Sequence, residues 1–266
     1  MQTLSLEVAD VSAWISRLWW PMLRIGGFVA TAPLMSSAVV PPRVKIVLNL
    51  ALGALLAPLA QVPADLSVFS GRGVVAACQE LVTGLAIGTV VQLAFESVTL
   101  AGQVISMTMG LGFATLVDPE RGANTAVLGQ FLMIIAVLGY LAVNGHLVLI
   151  GALAHSFHTL PVGGAHVDAN LFWSMARWGA QVFETGLLIA LPAVVALIIV
   201  NLALGVVTRA APQLNIFGIG FPITLLAGFF VLFVGIDAIM LGMSDLVDSA
   251  LMAVSQMVAS PAAGVR

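Results

Sequence analysis

Two short clusters carry side chains that could do chemistry. His155-Ser-Phe-His158 places two imidazoles one helical turn apart, a spacing compatible with a metal ion, and Gly242-Met-Ser244-Asp245 sets a serine beside an acid. Neither cluster is complete, because a zinc site needs a third protein ligand and a nucleophile elbow needs a second glycine. The sequence also lacks a phosphate-binding loop and a dinucleotide fingerprint. We therefore expect no catalytic residue, metal or cofactor, and we interpret both histidines as packing or interfacial residues.

Four acids lie in apolar stretches of the chain, namely Glu80, Glu96, Glu184 and Asp237. An isolated charge in hydrocarbon is costly, so such residues suggest a functional site by default. These four form no regularly spaced relay, and the first predicted helix offers Arg17 and Arg24 as possible partners. We interpret the acids as members of structural pairs, within the protein or with a neighbouring subunit, and a proton or ion pathway is the alternative.

The elements that hold these residues must be unusually apolar. Of the 266 residues, 61% are hydrophobic and 8% are charged, whereas a soluble domain has about 25% charged residues. This composition excludes a water-soluble globule. The net charge of -3 and the single lysine, Lys45, also exclude a nucleic-acid-binding face. With Cys78 as its only cysteine, the chain cannot form an internal disulfide.

Uncharged runs interrupted by turn residues indicate an all-α, integral membrane-type protein. A spanning helix needs about 20 mostly apolar residues, and the runs predict six long helices within one unit, 1–266. Glu7 and Asp10 argue against a cleavable signal, since they stand where a signal sequence carries positive charge. The predicted helices lie near 12–34, 44–60, 73–108, 126–155, 172–208 and 216–248.

Two of these helices are too long for a simple bundle. At roughly 1.5 Å per residue, the proline-free run from Gly73 to Thr108 extends about 54 Å, against a hydrocarbon core of about 30 Å. The fifth helix has the same problem, although Pro192 permits a kink. The loop arginines and lysines give no usable orientation. A plain six-span topology is therefore doubtful, and part of the apolar surface is expected to face protein.

Gly84 and Gly88 form a Gly-x-x-x-Gly pattern in the third helix. Glycines one turn apart allow two helix backbones to approach closely. The pattern predicts a helix-packing or subunit-contact face there.

Three further segments resemble the FliR family of flagellar export-gate proteins, whose injectisome counterpart is called SctT. They are the string from Arg209 to Ile223, the string from Gly110 to Pro119, and Asn144-Gly-His146 followed by His155 to Gly163. The similarity runs from about Trp14 to Met252. Within the first string, the resemblance marks these residues as packing or subunit-contact positions: Pro212, Gln213, Asn215, Gly220 and Pro222.

The resemblance implies a structural, non-enzymatic role in a type III protein export gate. Such a gate lies in the bacterial inner membrane at the flagellar basal body and passes unfolded flagellar subunits. It implies FliP-like and FliQ-like subunits in one hetero-oligomer and an FlhB-like protein as partners, with membrane lipid but no nucleic acid. It also implies helical hairpins wound into a right-handed spiral. The string from Arg209 to Ile223 is closer to the flagellar branch than to the injectisome branch.

The resemblance further implies that the loop after the third helix, 106–125, plugs the pore. Met107, Met109 and Phe113 would fill the closed lumen with soft or aromatic bulk, and glycines would let the backbone bend. Polar contacts from later residues of the loop would hold it shut. The predicted plug residues are Met107, Met109, Gly110, Gly112, Phe113, Asp118, Pro119, Arg121 and Asn124.

Of two other functions considered, one remains open at this stage. A secondary transporter or channel for a small solute would need a site at the membrane midplane built from discontinuous helices, for which Pro192 and the glycines near Gly110 are available. An intramembrane hydrolase is rejected, because the sequence supplies neither an activated nucleophile at Ser244 nor a base. A transporter should move solute by itself, whereas an export-gate subunit should be stable only with its partners.

Overall fold

The computed structural model describes residues 18–63, 66–68, 70–111, 127–164, 169–211 and 220–259. Every regular element within these residues is helical, which confirms the all-α prediction for the described chain. A short 3-10 turn, Ala57–Leu59, follows the second helix. The α-helices are α1 (18–31), α2 (Pro42–Leu56), α3 (Gly71–Thr108), α4 (Val127–Ala142), α5 (Gly145–Thr159), α6 (Ala169–Ala210) and α7 (Phe221–Ala259).

Prolines set both ends of α2. Pro41 precedes the helix in an extended conformation (φ -57°, ψ 143°), and Pro42 occupies its first turn. Proline is tolerated there because the first N–H groups of a helix have no intrahelical partner. Pro58 lies within the 3-10 turn that closes the helix.

The two overlong helices are continuous, as the sequence predicted. α3 has 38 residues and α6 has 42 residues, which correspond to about 57 and about 63 Å. α6 continues through Pro192.

The fourth predicted helix is wrong as a single element. Residues 126–155 contain α4 and α5, which are bent by 66° at Val143–Asn144. Asn144 has a left-handed backbone, with φ of 56°, a conformation that asparagine tolerates better than most residues. The Asn144-Gly145 pair was a turn signal that the long apolar run obscured.

Other boundaries differ as well, by three residues at the end of α1 and by eleven at the end of α7. α1 ends at 31 rather than 34, and α7 continues to Ala259 rather than 248. Residues 12–17 and 216–219 of the predicted helices lie outside the described residues. The winding of hairpins into a spiral and the single-domain organisation stay predictions.

The described residues fall into two compact units. The first contains residues up to Gln92, Asn144–Trp178 and residues from Ser249 onward. It includes a small apolar cluster of Trp20, Leu66, Ala76 and Val162. Trp178 Nε1 donates a hydrogen bond of 2.8 Å to the Val90 carbonyl in this unit.

The second unit contains Leu93–Val143 and Gly179–Asp248. Phe95 and Tyr140 pack edge to face, with ring centroids 5.4 Å apart. Gly102 of α3 lies directly against the backbone of Gly129 of α4, where a side chain on Gly102 would keep the helices apart.

Within the described residues, three helices are long and apolar enough to cross a membrane, or up to five if each bent helix pair counts as one span. The three are Pro42–Leu59, Gly71–Thr108 and Phe172–Ala210. The bent pairs are α4 with α5, and the two parts of α7, which meet at 52°. Length and composition therefore support a membrane protein with three to five candidate spans among the described residues.

Candidate functional site

The end of α3 is the described part of the predicted plug. Gly110 has a positive φ of 85°, its N–H donates to the Met107 carbonyl at 3.0 Å, and the Leu111 N–H donates to the Ser106 carbonyl at 3.1 Å. This pair of bonds with a left-handed glycine is a Schellman cap, which satisfies carbonyls that the last helical turn leaves free. Gly110 thus ends α3 at a defined residue, so the chain departs from the helix there.

The two methionines of this segment have opposite environments. Met109 is 1% exposed and Met107 is 71% exposed. Met109 packs on Gly228 of α7, where a methyl group would lie 2.5 to 2.8 Å from its side-chain atoms. The Asn201 amide of α6 donates to the Thr108 carbonyl at 3.3 Å. The last turn of α3 is therefore held by α6 and α7, while Met107 faces outward.

Most of the remaining predicted plug residues lie outside the described residues. These are Gly112, Phe113, Asp118, Pro119, Arg121 and Asn124. Among the predicted contact positions, Gly220 is buried immediately before α7 and Pro222 is exposed in its first turn. Pro212, Gln213 and Asn215 also lie outside the described part of the chain.

Gly84 and Gly88 lie where α3 crosses α1. A methyl group on Gly84 would overlap the Arg24 carbonyl, and one on Gly88 would lie 2.8 Å from the Ala32 nitrogen. Gly27 of α1 faces the α3 backbone in the same way. The Thr31 hydroxyl also donates to the Leu85 carbonyl at 3.1 Å. The two backbones therefore touch across the crossing, with glycine on both helices.

A buried ion pair lies beside this crossing. Arg24 of α1 and Glu80 of α3 are both fully buried. Arg24 Nε lies 2.7 Å from Glu80 Oε2, and Arg24 Nη2 lies 2.9 Å from Glu80 Oε1. Such a two-point contact between a planar guanidinium and a carboxylate is directional as well as strong.

The remaining donors of Arg24 hold the end of α5. Nη1 donates to the Ser156 carbonyl at 2.8 Å and to its hydroxyl at 3.1 Å. Nη2 donates to the Leu160 carbonyl at 2.7 Å, and the guanidinium lies 4.4 Å from the Phe157 ring centroid. Arg24 thus uses all five of its N–H donors. We call this set, Arg24, Glu80, Ser156, Phe157 and Leu160, the Arg24 cluster.

Comparisons with known proteins show which family the chain is similar to. Residues 15–250 match the family model described as bacterial export proteins, family 1. The flagellar biosynthetic protein FliR of Escherichia coli K12 is 43% identical over 81% of this chain and 82% of its own length. The FliR protein of Pectobacterium carotovorum is 41% identical over 85% and 86%, and that of Bacillus subtilis is 30% identical over 82% and 85%.

The chain belongs to the FliR family of bacterial export proteins. The matched range, residues 15–250, covers the residues of the Arg24 cluster, of the crossing of α1 and α3, and of the capped end of α3. The resemblance stated from the three sequence segments is therefore confirmed at the level of the family.

In the His155–His158 motif of this FliR-family chain, the sequence pointed to the two histidines and not to the two residues between them. His155 and His158 are exposed, whereas Ser156 and Phe157 between them are buried against Arg24. The described residues contain no group of three or more potential metal ligands. A signal was present in the sequence, because a buried arginine needs several acceptors and the free carbonyls of a helix end can supply them.

The other acids in apolar stretches have different environments. Glu184 of α6 and Asp237 of α7 are exposed, as is Glu96 of α3. The structure therefore brings one of the four acids, Glu80, to an arginine of α1.

Proposed function

We propose that this chain is a pore-forming, structural component of the flagellar protein export gate. In this function it lies in the inner membrane at the flagellar basal body and passes unfolded flagellar subunits outward, without catalysing a reaction. The observation that carries the proposal is membership of the FliR family, whose relatives at 41–43% identity are named flagellar biosynthetic proteins.

The end of α3 supports a role in closing the pore. A glycine cap ends the helix at a defined residue, so the following segment can leave the helix axis without losing carbonyl partners. Met107 presents a flexible, apolar side chain outward, and thioethers adapt to irregular contacts. We therefore place the start of the gating plug at Met107.

Exposed apolar surface supports assembly with other subunits. The exposed fraction is 68% for Phe183, 68% for Phe230 and 79% for Phe233. Lipid and partner helices are the two environments that cover such surface without penalty. FliP-like, FliQ-like and FlhB-like proteins are the partners that the family resemblance implies.

A complementation experiment tests the proposed function. The host's own copy of the gene is deleted, the chain is expressed from a plasmid, and hook and filament subunits are measured in the culture medium. We expect the chain to restore export and motility. If the purified chain alone moves a small solute into liposomes and export is not restored, the secondary transporter is the better description.

A conductance experiment tests the plug separately. Deleting Gly110 to Val117 should raise ion leakage through membranes that contain the assembled complex. Replacing the same eight residues with a glycine-serine stretch of equal length gives a second variant with the spacing preserved. Background conductance with both variants would overturn the plug assignment and leave the export function standing.

A further inference from the structure

An outward-facing stripe of α7 carries one carboxylate among large apolar side chains. Leu226, Phe230 and Phe233 are exposed by 71%, 68% and 79%, and Asp237 is exposed as well. Their spacing of four, three and four residues places all of them on one side of the helix, as in the seam of a helix pair. We call these residues the α7 stripe.

Contacts of α7 with its neighbours show that Asp237 lies beside uncharged sequence. Gly228 packs on Met109 at the end of α3, where Asn201 of α6 also binds, and Gly242 lies against Ile189 of α6. Along α7, Asp237 lies between the contact at Gly228 and the contact at Gly242. Between Ile189 and Asn201, α6 contains only apolar residues and Pro192, so α6 offers no counter-ion at this level.

The described chain supplies no partner for the Asp237 carboxylate. No hydrogen bond or ion pair joins it to another described side chain. Within the described part of this compact unit the single cation is Arg209, which stands in the last turn of α6, beyond Asn201. The carboxylate is therefore directed away from its own protein, and the described chain supplies no counter-ion for it.

Lipid is a poor occupant of the α7 stripe, because a carboxylate facing hydrocarbon costs several kcal/mol. A second copy of the chain is also a poor occupant, since a two-fold axis parallel to the helices, the arrangement of two copies with the same orientation in a membrane, brings the two Asp237 carboxylates together. A helix from a different subunit avoids both costs if it carries one cation among apolar residues.

We propose that the α7 stripe is a docking surface for a membrane helix of another subunit that carries a single lysine or arginine at the level of Asp237. The apolar residues of the stripe bury that helix, and the ion pair sets its register and excludes wrong partners. The inference deepens the proposed function, on which it rests, because it describes how this chain is held in its assembly.

Substitutions at Asp237 separate a protein partner from lipid. Tagged variants Asp237→Leu, Asp237→Asn and Asp237→Lys are expressed in the deletion strain, and the co-purifying subunits are quantified per mole of tagged chain. We expect Asp237→Leu and Asp237→Lys to lower their recovery about tenfold or more, because the partner's cation loses its counter-ion. Asp237→Asn keeps the shape of the side chain and should lower recovery as well. Asp245→Leu, which removes an exposed acid from the same helix but outside the stripe, should leave recovery unchanged.

Recovery of Asp237→Leu at the wild-type level would overturn the proposal, since leucine suits a lipid-facing position. A covalent cross-link from position 237 at twice the mass of the chain would overturn it in favour of a second copy. Suppressors of Asp237→Lys that change a lysine or arginine to an acid in another subunit would support it. If the complex depends on Asp237 but the wild-type chain restores no export, the proposed function fails and the docking surface stands.

Discussion

The Arg24 guanidinium and the Glu80 carboxylate, 56 residues apart in sequence, form a two-point ion pair with both side chains fully buried. The same guanidinium donates to the Ser156 and Leu160 carbonyls at the end of α5. One side chain thus joins α1, α3 and α5. Since Arg24, Glu80 and Ser156 are fully buried, their polar groups depend on one another for compensation.

Breaking the ion pair on one side should be strongly destabilising. Arg24→Met should lower the free energy of unfolding by about 3–5 kcal/mol, because it leaves a buried carboxylate without its counter-ion. Thermal unfolding of the protein in detergent measures the loss. Arg24→Lys should also be destabilising, since an ammonium has three donors and cannot form the planar fork.

A double-mutant cycle measures the interaction energy between Arg24 and Glu80. The double variant, Arg24→Met with Glu80→Met, should lose less free energy of unfolding than the two single variants lose in sum, because it buries no lone charge. The free energy of unfolding of the double variant should still be below that of the wild type, since the Ser156 and Leu160 carbonyls lose their donors. Additive losses would show that the two residues are not energetically paired.

The crossing of α1 and α3 should not tolerate a side chain on Gly84. In Gly84→Ala the new methyl group overlaps the Arg24 backbone, so the helices must separate, at a cost of about 1–3 kcal/mol. Gly151→Ala in α5 is the matched control, because nothing lies within 4 Å of the new methyl group. That control should be neutral or stabilised by up to about 1 kcal/mol, since alanine favours helix. Equal unfolding temperatures for the two variants would contradict the close crossing.

The cap at Gly110 should depend on its left-handed backbone. Gly110→Ala should be destabilised by about 1–2 kcal/mol, the cost of placing a β-carbon in that conformation, and Gly110→Asn should recover part of the loss. Gly205→Ala in α6, where no atom crowds the new methyl group, controls for adding a methyl group to a helix. Proteolysis of the segment that follows α3 gives a second measurement, which should become faster in Gly110→Ala.

Met107 and Met109 provide a matched pair of substitutions. Met109→Ala should lower the free energy of unfolding by about 2–5 kcal/mol, because it leaves a cavity next to Gly228. Met107→Ala should leave stability within about 0.5 kcal/mol, since its side chain faces outward. If Met107 lies in the plug, Met107→Ala should instead raise ion leakage through the assembled complex. A stability loss in Met107→Ala equal to that in Met109→Ala would contradict the assigned environments.

The positions of prolines and other turn residues predicted the ends of the helices well where those residues were unambiguous. The proline pair at Pro41-Pro42 starts α2, and the absence of proline keeps α3 continuous from Gly71 to Thr108. The prediction was wrong at Val143–Asn144, where apolar residues on both sides hid the turn. Hydrophobicity cannot mark a bend between two apolar helices, because both sides of the bend favour the same surroundings.

By itself, the sequence determined that the chain is helical, apolar enough for a membrane and a member of its family, because composition, run length and motif strings are local properties. The tertiary structure decided that Glu80 pairs with Arg24, and which residues of the His155–His158 motif are buried. It also decided that Gly102 meets Gly129, two glycines that no sequence pattern had linked. Each of these contacts joins residues on different helices, and their choice depends on how the helices cross.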